Sequence, residues 1–345
     1  MRDTLNLDRR RFLRNSMLLG LGLVIGDFAA GSTDRAATAD IRIAVNPGLE
    51  NATLTALIMQ CGFLSRFGVD ATIVEVPGAK APFDAVASGT ADVCMVSGYD
   101  GLLTEIERGA PVKVIGAGMK DAALAIFARP GVVQGLAGLT GRTVAVGPHL
   151  GLLHALMLQL FKEKAIDASA VIFVDKGSNE QCYQAVVRGE ADACCASVSH
   201  LYNADGLVVI DEGNLWQVLP RYTFQMAFAA DTALRDKREA LVGVMAAFGA
   251  LYEYLMSPEA EEAYFAARRS AGKHFDERSA RATWDFIQKQ RPYATDLTLT
   301  EDDIAYRQDM DIALGDLKHK QSFAEVADMS IARAAAKLLG SSPRT

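Results

Sequence analysis

The chain has 345 residues, half of them hydrophobic and 22% charged, a composition that can bury a large core and excludes a disordered polymer. Its formal charge is −7 and no basic stripe interrupts the later sequence, which excludes nucleic acid as the main partner. Cysteines at 61, 94, 182, 194 and 195 are odd in number and lack metal-ligand spacing. Those in small apolar runs read as compact buried hydrophobes, and no metal is expected.

The first forty residues differ from the rest. Arg9-Arg10-Arg11-Phe12-Leu13-Arg14 leads into an apolar run over 17–25. A basic segment followed by a short apolar one is a secretory signal pattern, and the run is too short for a spanning helix, which needs about twenty residues. Arg-Arg-x-Phe-Leu-Arg resembles the twin-arginine consensus, a receptor-read export address. Ala37-Thr38-Ala39 supplies a small-x-small pattern, predicting Asp40 as the first mature residue. No cysteine lies near that point to carry a lipid anchor. Losing six arginines and four aspartates takes the charge from −7 to −9.

From residue 41 short β-rich runs alternate with helical stretches. Strands are expected over 41–45, 69–76, 91–96 and 112–115, with helices over 54–67, 82–87 and 99–107 between them. The order then repeats: strands over 143–146, 171–174, 191–196 and 207–210, helices over 152–161 and 181–187. Such alternation predicts βαβ units and mostly parallel sheets. The segment Ala85-Val86-Ala87-Ser88-Gly89-Thr90-Ala91-Asp92-Val93-Cys94 recurs one hundred residues later as Ala185-Val186-Val187-Arg188-Gly189-Glu190-Ala191-Asp192-Ala193-Cys194, identical at six of ten positions. Two similar lobes follow. Gly89 and Gly189 are expected to end their helices in the left-handed region, and Asp92 and Asp192 to cap turns at strand starts. After a strand over 222–230, helices are expected over 233–255, 258–267, 277–290 and 301–314, packing on one or both lobes. Their charges, Asp302-Asp303 and Glu259, Glu261 and Glu262, read as solvated faces.

In order and spacing, Ala87-Ser88-Gly89-Thr90-Ala91-Asp92, then Gly109-Ala110-Pro111-Val112-Lys113-Val114-Ile115, Leu136-Ala137-Gly138-Leu139-Thr140-Gly141-Arg142-Thr143-Val144-Ala145-Val146 and Gly189-Glu190-Ala191-Asp192-Ala193 resemble a known family. It is that of the periplasmic solute-binding proteins of nitrate, sulfonate and taurine importers, a superfamily that includes thiamine-pyrimidine synthase. The resemblance covers about residues 41–265. It implies an α/β, two-lobed periplasmic-binding-protein fold of type II-like form, each lobe a mostly parallel sheet flanked by helices, with a helical C-terminal tail. Lobe 1 is expected over 40–128 plus about 222–270, lobe 2 over 129–221, and a helical extension over 271–345. The implied function is the capture of a small anionic or heteroaromatic organic solute between the lobes. Delivery would be to an inner-membrane ABC permease and its ATPase, by a periplasmic monomer without cofactor.

Parallel α/β sheets place ligands beyond the carboxyl ends of strands, at helix N-termini. That geometry nominates Asn46, Gly48, Lys80, Ser97, Gly98 and Tyr99 in lobe 1. In lobe 2 it nominates His149, Gly151, Ser178, Asn179, Ser197, Ser199 and His200. Tyr99 either stacks on a planar ligand or staples its lobe, and His149 either donates to an anion or is structural. Related sulfonate-binding proteins carry a hydroxyl residue where lobe 2's first helix begins. Here Gly147-Pro148-His149-Leu150-Gly151-Leu152 has none, which points toward a ligand with an apolar or aromatic body. Two rivals share the fold: an enzyme resembling thiamine-pyrimidine synthase or a desulfinase, and a binding protein that reports to a membrane sensor. A desulfinase would need a nucleophilic cysteine with an activating base, whereas Cys94 and Cys194 are expected inside strands.

Overall fold

A computed structural model describes residues 40–272 and 274–341. The twin-arginine motif and the cleavage pattern ending at Ala39 lie outside the described residues. The chain opens with β1 (Ile41–Val45), α1 (Leu49–Gln60), α2 (Phe63–Arg66), β2 (Ala71–Glu75), α3 (Ala81–Ala87), β3 (Val93–Ser97), α4 (Leu102–Glu107) and β4 (Val112–Ala117). It crosses to β5 (Leu124–Ala128), β6 (Thr143–Val146), α5 (Leu152–Glu163), β7 (Ile172–Asp175), α6 (Asn179–Val187), β8 (Ala193–Ser197), β9 (Val208–Asn214) and α7 (Leu215–Val218). It returns in β10 (Met226–Ala230) and ends in α8 (Asp231–Asp236), α9 (Arg238–Leu255), α10 (Glu261–Ala271), α11 (Glu277–Gln290), α12 (Glu301–Leu314), α13 (Phe323–Val326) and α14 (Ser330–Ser341).

The first sheet has the order β2-β1-β3-β10-β4 and the second β7-β6-β8-β5-β9. In each, four strands share one direction and the fourth position is antiparallel to both neighbours. That antiparallel strand is the one that has just arrived from the other lobe. The sequence places 124–128 in lobe 1; the structure puts β5 in the second sheet, between β8 and β9. Leu124–Ala128 is a short apolar run buried throughout, which periodicity alone does not tell from a buried helix segment. The two crossings run side by side: the Gly118 amide donates to the Gln225 carbonyl at 2.9 Å and the Gln225 amide to Met119 at 2.8 Å.

The hundred-residue echo is an echo of contacts. Gly89 (φ 75°) and Gly189 (φ 77°) follow α3 and α6 in the left-handed region that glycine adopts without strain. The Asp92 amide then donates to the Arg42 carbonyl and the Asp192 amide to Thr143, both at 2.8 Å. Each aspartate's carboxylate accepts from the same neighbouring strand, at Arg42 N (2.7 Å) and Thr143 N (2.9 Å). The repeat thus ties β3 to β1 in one lobe and β8 to β6 in the other.

The helical tail packs on both lobes. Ile331, Ala332 and Ala335 of α14 join the core beneath the first sheet, while Tyr306 and Met310 of α12 join the core of the second. Asp303, expected on a solvated face, closes a capping box with Thr300 at the start of α12. Among the described residues no single helix is long and apolar enough to cross a membrane.

Candidate functional site

Loops at the carboxyl ends of both sheets converge on a cleft of about 1010 Å³. From the first lobe come Gly48, the residue before α1, and Glu50. From the second come Ser178 and Asn179 at the start of α6, then Ser197 at the end of β8 and Ser199 and His200 in the turn that follows. Arg268 of α10 and residues 276–279 at the start of α11 close one side. Ser178 caps α6 through a capping box with Gln181, which fixes Asn179 at the mouth. The Ser197 hydroxyl accepts from the Ser199 amide at 3.2 Å and so shapes the turn Val198–His200. His200 is buried, stacked on Tyr183 with centroids 4.0 Å apart, and near Glu180 at 3.6 Å. Burial lowers its pKa, against the pull of Glu180, Asp205 and Asp276.

A second, enclosed pocket of about 110 Å³ shares Glu50, Asn179 and Ser197 with that cleft. Its walls are apolar and aromatic: Leu54, Met119, Leu124, Val198, Phe224, Phe286 and Tyr293. Two amide oxygens there, Asn179 Oδ1 and Gln225 Oε1, are buried without a hydrogen-bond partner among the described residues. An unpaired buried acceptor costs about 1–3 kcal/mol, so each is a place where a ligand donor repays desolvation. The outer lining carries Glu50, Glu180, Asp205, Asp276 and Glu277 against Arg268 and Arg278. Arg268, only 3% exposed, already pairs with Glu50 at 2.6 Å. Burial works against its charge, but Glu50 and Tyr264 hold its pKa above the ordinary value.

Other nominated residues gather elsewhere. Gly98, Tyr99, His149 and Gly151 line a separate groove of about 420 Å³, where the β3–α4 loop faces the β6–α5 loop. The lobes approach closely there: a Cβ on Gly98 would lie 3.8 Å from Leu152 and 3.5 Å from the Phe224 carbonyl. Ser97 is buried behind this loop, its hydroxyl accepting from the Tyr99 amide at 3.2 Å. Tyr99 packs its ring 5.7 Å from Phe83, and burial pushes its phenol up to about 12. His149 lies against His154, with ring centroids 5.0 Å apart.

Asn46 and Lys80 line neither space. Asn46 donates to the Gly78 carbonyl at 2.7 Å and accepts from Gly48, tying two loops of lobe 1 together. Lys80 pairs with Asp84 and lies 3.8 Å from Glu105. Sequence reasoning missed Glu50, Arg268, Phe224, Gln225, Phe286 and Tyr293. Phe224-Gln225 carried a usable signal, since the pair immediately precedes a strand that returns between lobes. The tail residues carried none.

No cysteine lines the cleft among the described residues. Cys194 and Cys195 lie in β8 and Cys94 in β3, all buried, and burial raises each thiol's pKa, Cys94 to about 12. All five cysteines are free, and Cys61 is exposed.

The model of the NMT1/THI5-like family matches residues 54–261. No curated protein sequence matches the chain. Solved structures share its fold at low identity. The periplasmic aliphatic sulphonate binding protein SsuA from Escherichia coli is 17% identical with a TM-score of 0.68, over 84% of this chain and 91% of that one. The periplasmic nitrate-binding protein NrtA from Synechocystis PCC 6803 is 10% identical with a TM-score of 0.64, over 88% and 89%. The desulfurization enzyme DSZB is 13% identical with a TM-score of 0.60, over 87% and 99%, so this fold also carries catalysis.

Proposed function

The chain belongs to the NMT1/THI5-like family, and from that premise we propose that it is the solute-capturing component of an ABC-type importer. In this reading it works in the periplasm, freed of its first 39 residues, and hands a small organic molecule to a membrane permease. The observation that carries the proposal is the enclosed pocket beneath the cleft. It is built by both lobes, lined with aromatic and aliphatic side chains, and holds two unpaired amide oxygens. A concave apolar site with a few oriented polar groups is what small-molecule recognition requires.

The two lobes are joined by paired crossings, a construction that permits a hinge. Closure about a solute would expel water and strengthen each polar contact inside. The SsuA and NrtA likenesses support a transport role, since both are binding proteins rather than catalysts. The DSZB likeness supports an enzyme on the same fold, but a desulfinase-like reaction would need an activated thiol. The buried, high-pKa cysteines of β3 and β8 do not supply one.

The test is thermal unfolding of the purified protein against a panel of sulfonates, carboxylates, amines and nitrogen heterocycles. A solute at one hundred times its dissociation constant adds about 2.7 kcal/mol of stability. The expected outcome is stabilisation by one chemical class without turnover. Turnover of any panel member, or a melt that no solute moves, sinks the proposal.

A further inference from the structure

We propose that the captured solute is a small organic cation, an amidinium or protonated ring amine on a flat apolar body. This rests on the reading that the cleft captures a solute and specifies its charge. Among the described residues lining the enclosed pocket, Glu50 is the one carboxylate, and there is no lysine, arginine or histidine. Phe224, Phe286 and Tyr293 line it, and aromatic faces attract cations and repel anions. Gln225, 8% exposed, has an unpartnered Oε1, and Asn179, in the same lining, has an unpartnered Oδ1. Acceptors without donors ask for N–H groups from the ligand.

The outer cleft agrees. Its described lining residues include five carboxylates and two guanidinium groups; with Glu50 and Arg268 paired through one carboxylate oxygen, four carboxylates remain against Arg278. To receive an anion, Arg268 would have to release Glu50 and leave that carboxylate unpaired at the pocket mouth. A surplus of negative charge around a low-dielectric cleft instead concentrates cations at its entrance. Of the two ligand types expected from the sequence, anionic and heteroaromatic, these surroundings disfavour the first. At about 110 Å³ the inner pocket takes little more than one small ring, so larger parts of the solute extend into the cleft.

The experiment is calorimetric titration of the full chain with three probes of one shape and different charge: benzamidine, benzamide and benzoate. Benzamidine is expected to bind at least about tenfold more tightly than benzamide, and benzoate to bind weakest, since hydrogen bonds from a charged donor are stronger than those from a neutral one. Gln225→Leu should weaken benzamidine about tenfold. Glu50→Gln should weaken benzamidine and strengthen benzoate, because Arg268 then loses its internal anion. Circular dichroism establishes that both variants are folded. Benzoate binding as tightly as benzamidine overturns the charge assignment while leaving solute capture intact. Benzamidine affinity unchanged in both folded variants overturns it as well. If none of the three binds, the assignment falls, and the wider panel decides separately whether the cleft captures any solute.

Discussion

Asp92 shows how one side chain fixes a lobe. Its carboxylate accepts from the Arg42 amide at 2.7 Å, pairs with the Arg42 guanidinium at 3.0 Å and with Lys237 Nζ at 2.9 Å. It thereby ties β3 to β1 and to the N-terminus of α9. Burial opposes its charge, but the bonds from Arg42 and Lys237 outweigh that and hold the carboxyl below its usual range. A depressed carboxyl pKa contributes stability that is present above the unfolded value, near 3.9, and is lost as pH falls through the folded one. Asp92→Asn is therefore expected to cost about 1.5–3 kcal/mol at pH 7. The gap from the parent should persist to about pH 5 and narrow below about pH 4. Urea unfolding at pH 7, 5 and 3 measures it, and a gap that widens in acid contradicts this account. Asp192 holds the equivalent place with weaker partners, Arg129 and Arg142 each at 3.9 Å. The sequence showed the pairing of these two aspartates and their turn role, because repetition made them visible. It could not show which cations each would meet, since Lys237 is far away in the chain.

Helix α12 acts as a strap between lobes. Arg307 donates to the Asp100 carbonyl at 3.1 Å, to the Tyr222 hydroxyl at 3.0 Å and to Asp311 at 3.1 Å, and it also pairs with the Asp100 carboxylate. One residue earlier, the Tyr306 hydroxyl accepts from Gln159 and donates to Glu163, both on α5 of the second lobe. Burial pushes the Asp311 carboxyl up to about 6, with Arg307 opposing the rise. Arg307→Met strands two buried carboxylates and is expected to destabilise by about 3–5 kcal/mol. Adding Asp100→Asn and Asp311→Asn should recover much of that loss, which chemical denaturation of the single and triple variants measures. Failure to recover would mean that the arginine stem, not its charge, matters most. The span of α12 was legible from periodicity, and its ends are marked by Thr300 and by Gly315 at φ 82°. Its position across both lobes was not, because periodicity reports which face is buried and not against what. Strand β5 was missed for a related reason: a five-residue apolar run fits a buried strand and a buried helix segment alike, and β5 lies outside the repeated segment that marks β3 and β8.

At the scale of the molecule, the cleft draws on stretches far apart in sequence. Residues 48–51, 178–180, 203–205 and 276–279, with Gln184, Ser197, Ser199, His200 and Arg268, line the outer part, and Met119, Phe224 and Tyr293 are among those that line the inner part. Strand-end loops could be nominated from topology, so Gly48, Ser178, Asn179, Ser197, Ser199 and His200 came together as one surface. The aromatic walls come from the crossings and the tail, where no duplication guides the reading. The proposed export belongs to this scale too: N-terminal sequencing of protein recovered from the periplasm should begin at Asp40, and an unprocessed N-terminus would remove the periplasmic assignment. The exchanged strands have a consequence for the order of synthesis. The sheet of the second lobe is complete once residue 214 has been made, whereas the first sheet waits for β10 at residues 226–230, and its core for α14. The lobe that emerges first from the ribosome is thus the last to close: its early strands must remain soluble, with an open gap between β3 and β4, until residue 230 has been made, and its core is complete only when α14 arrives.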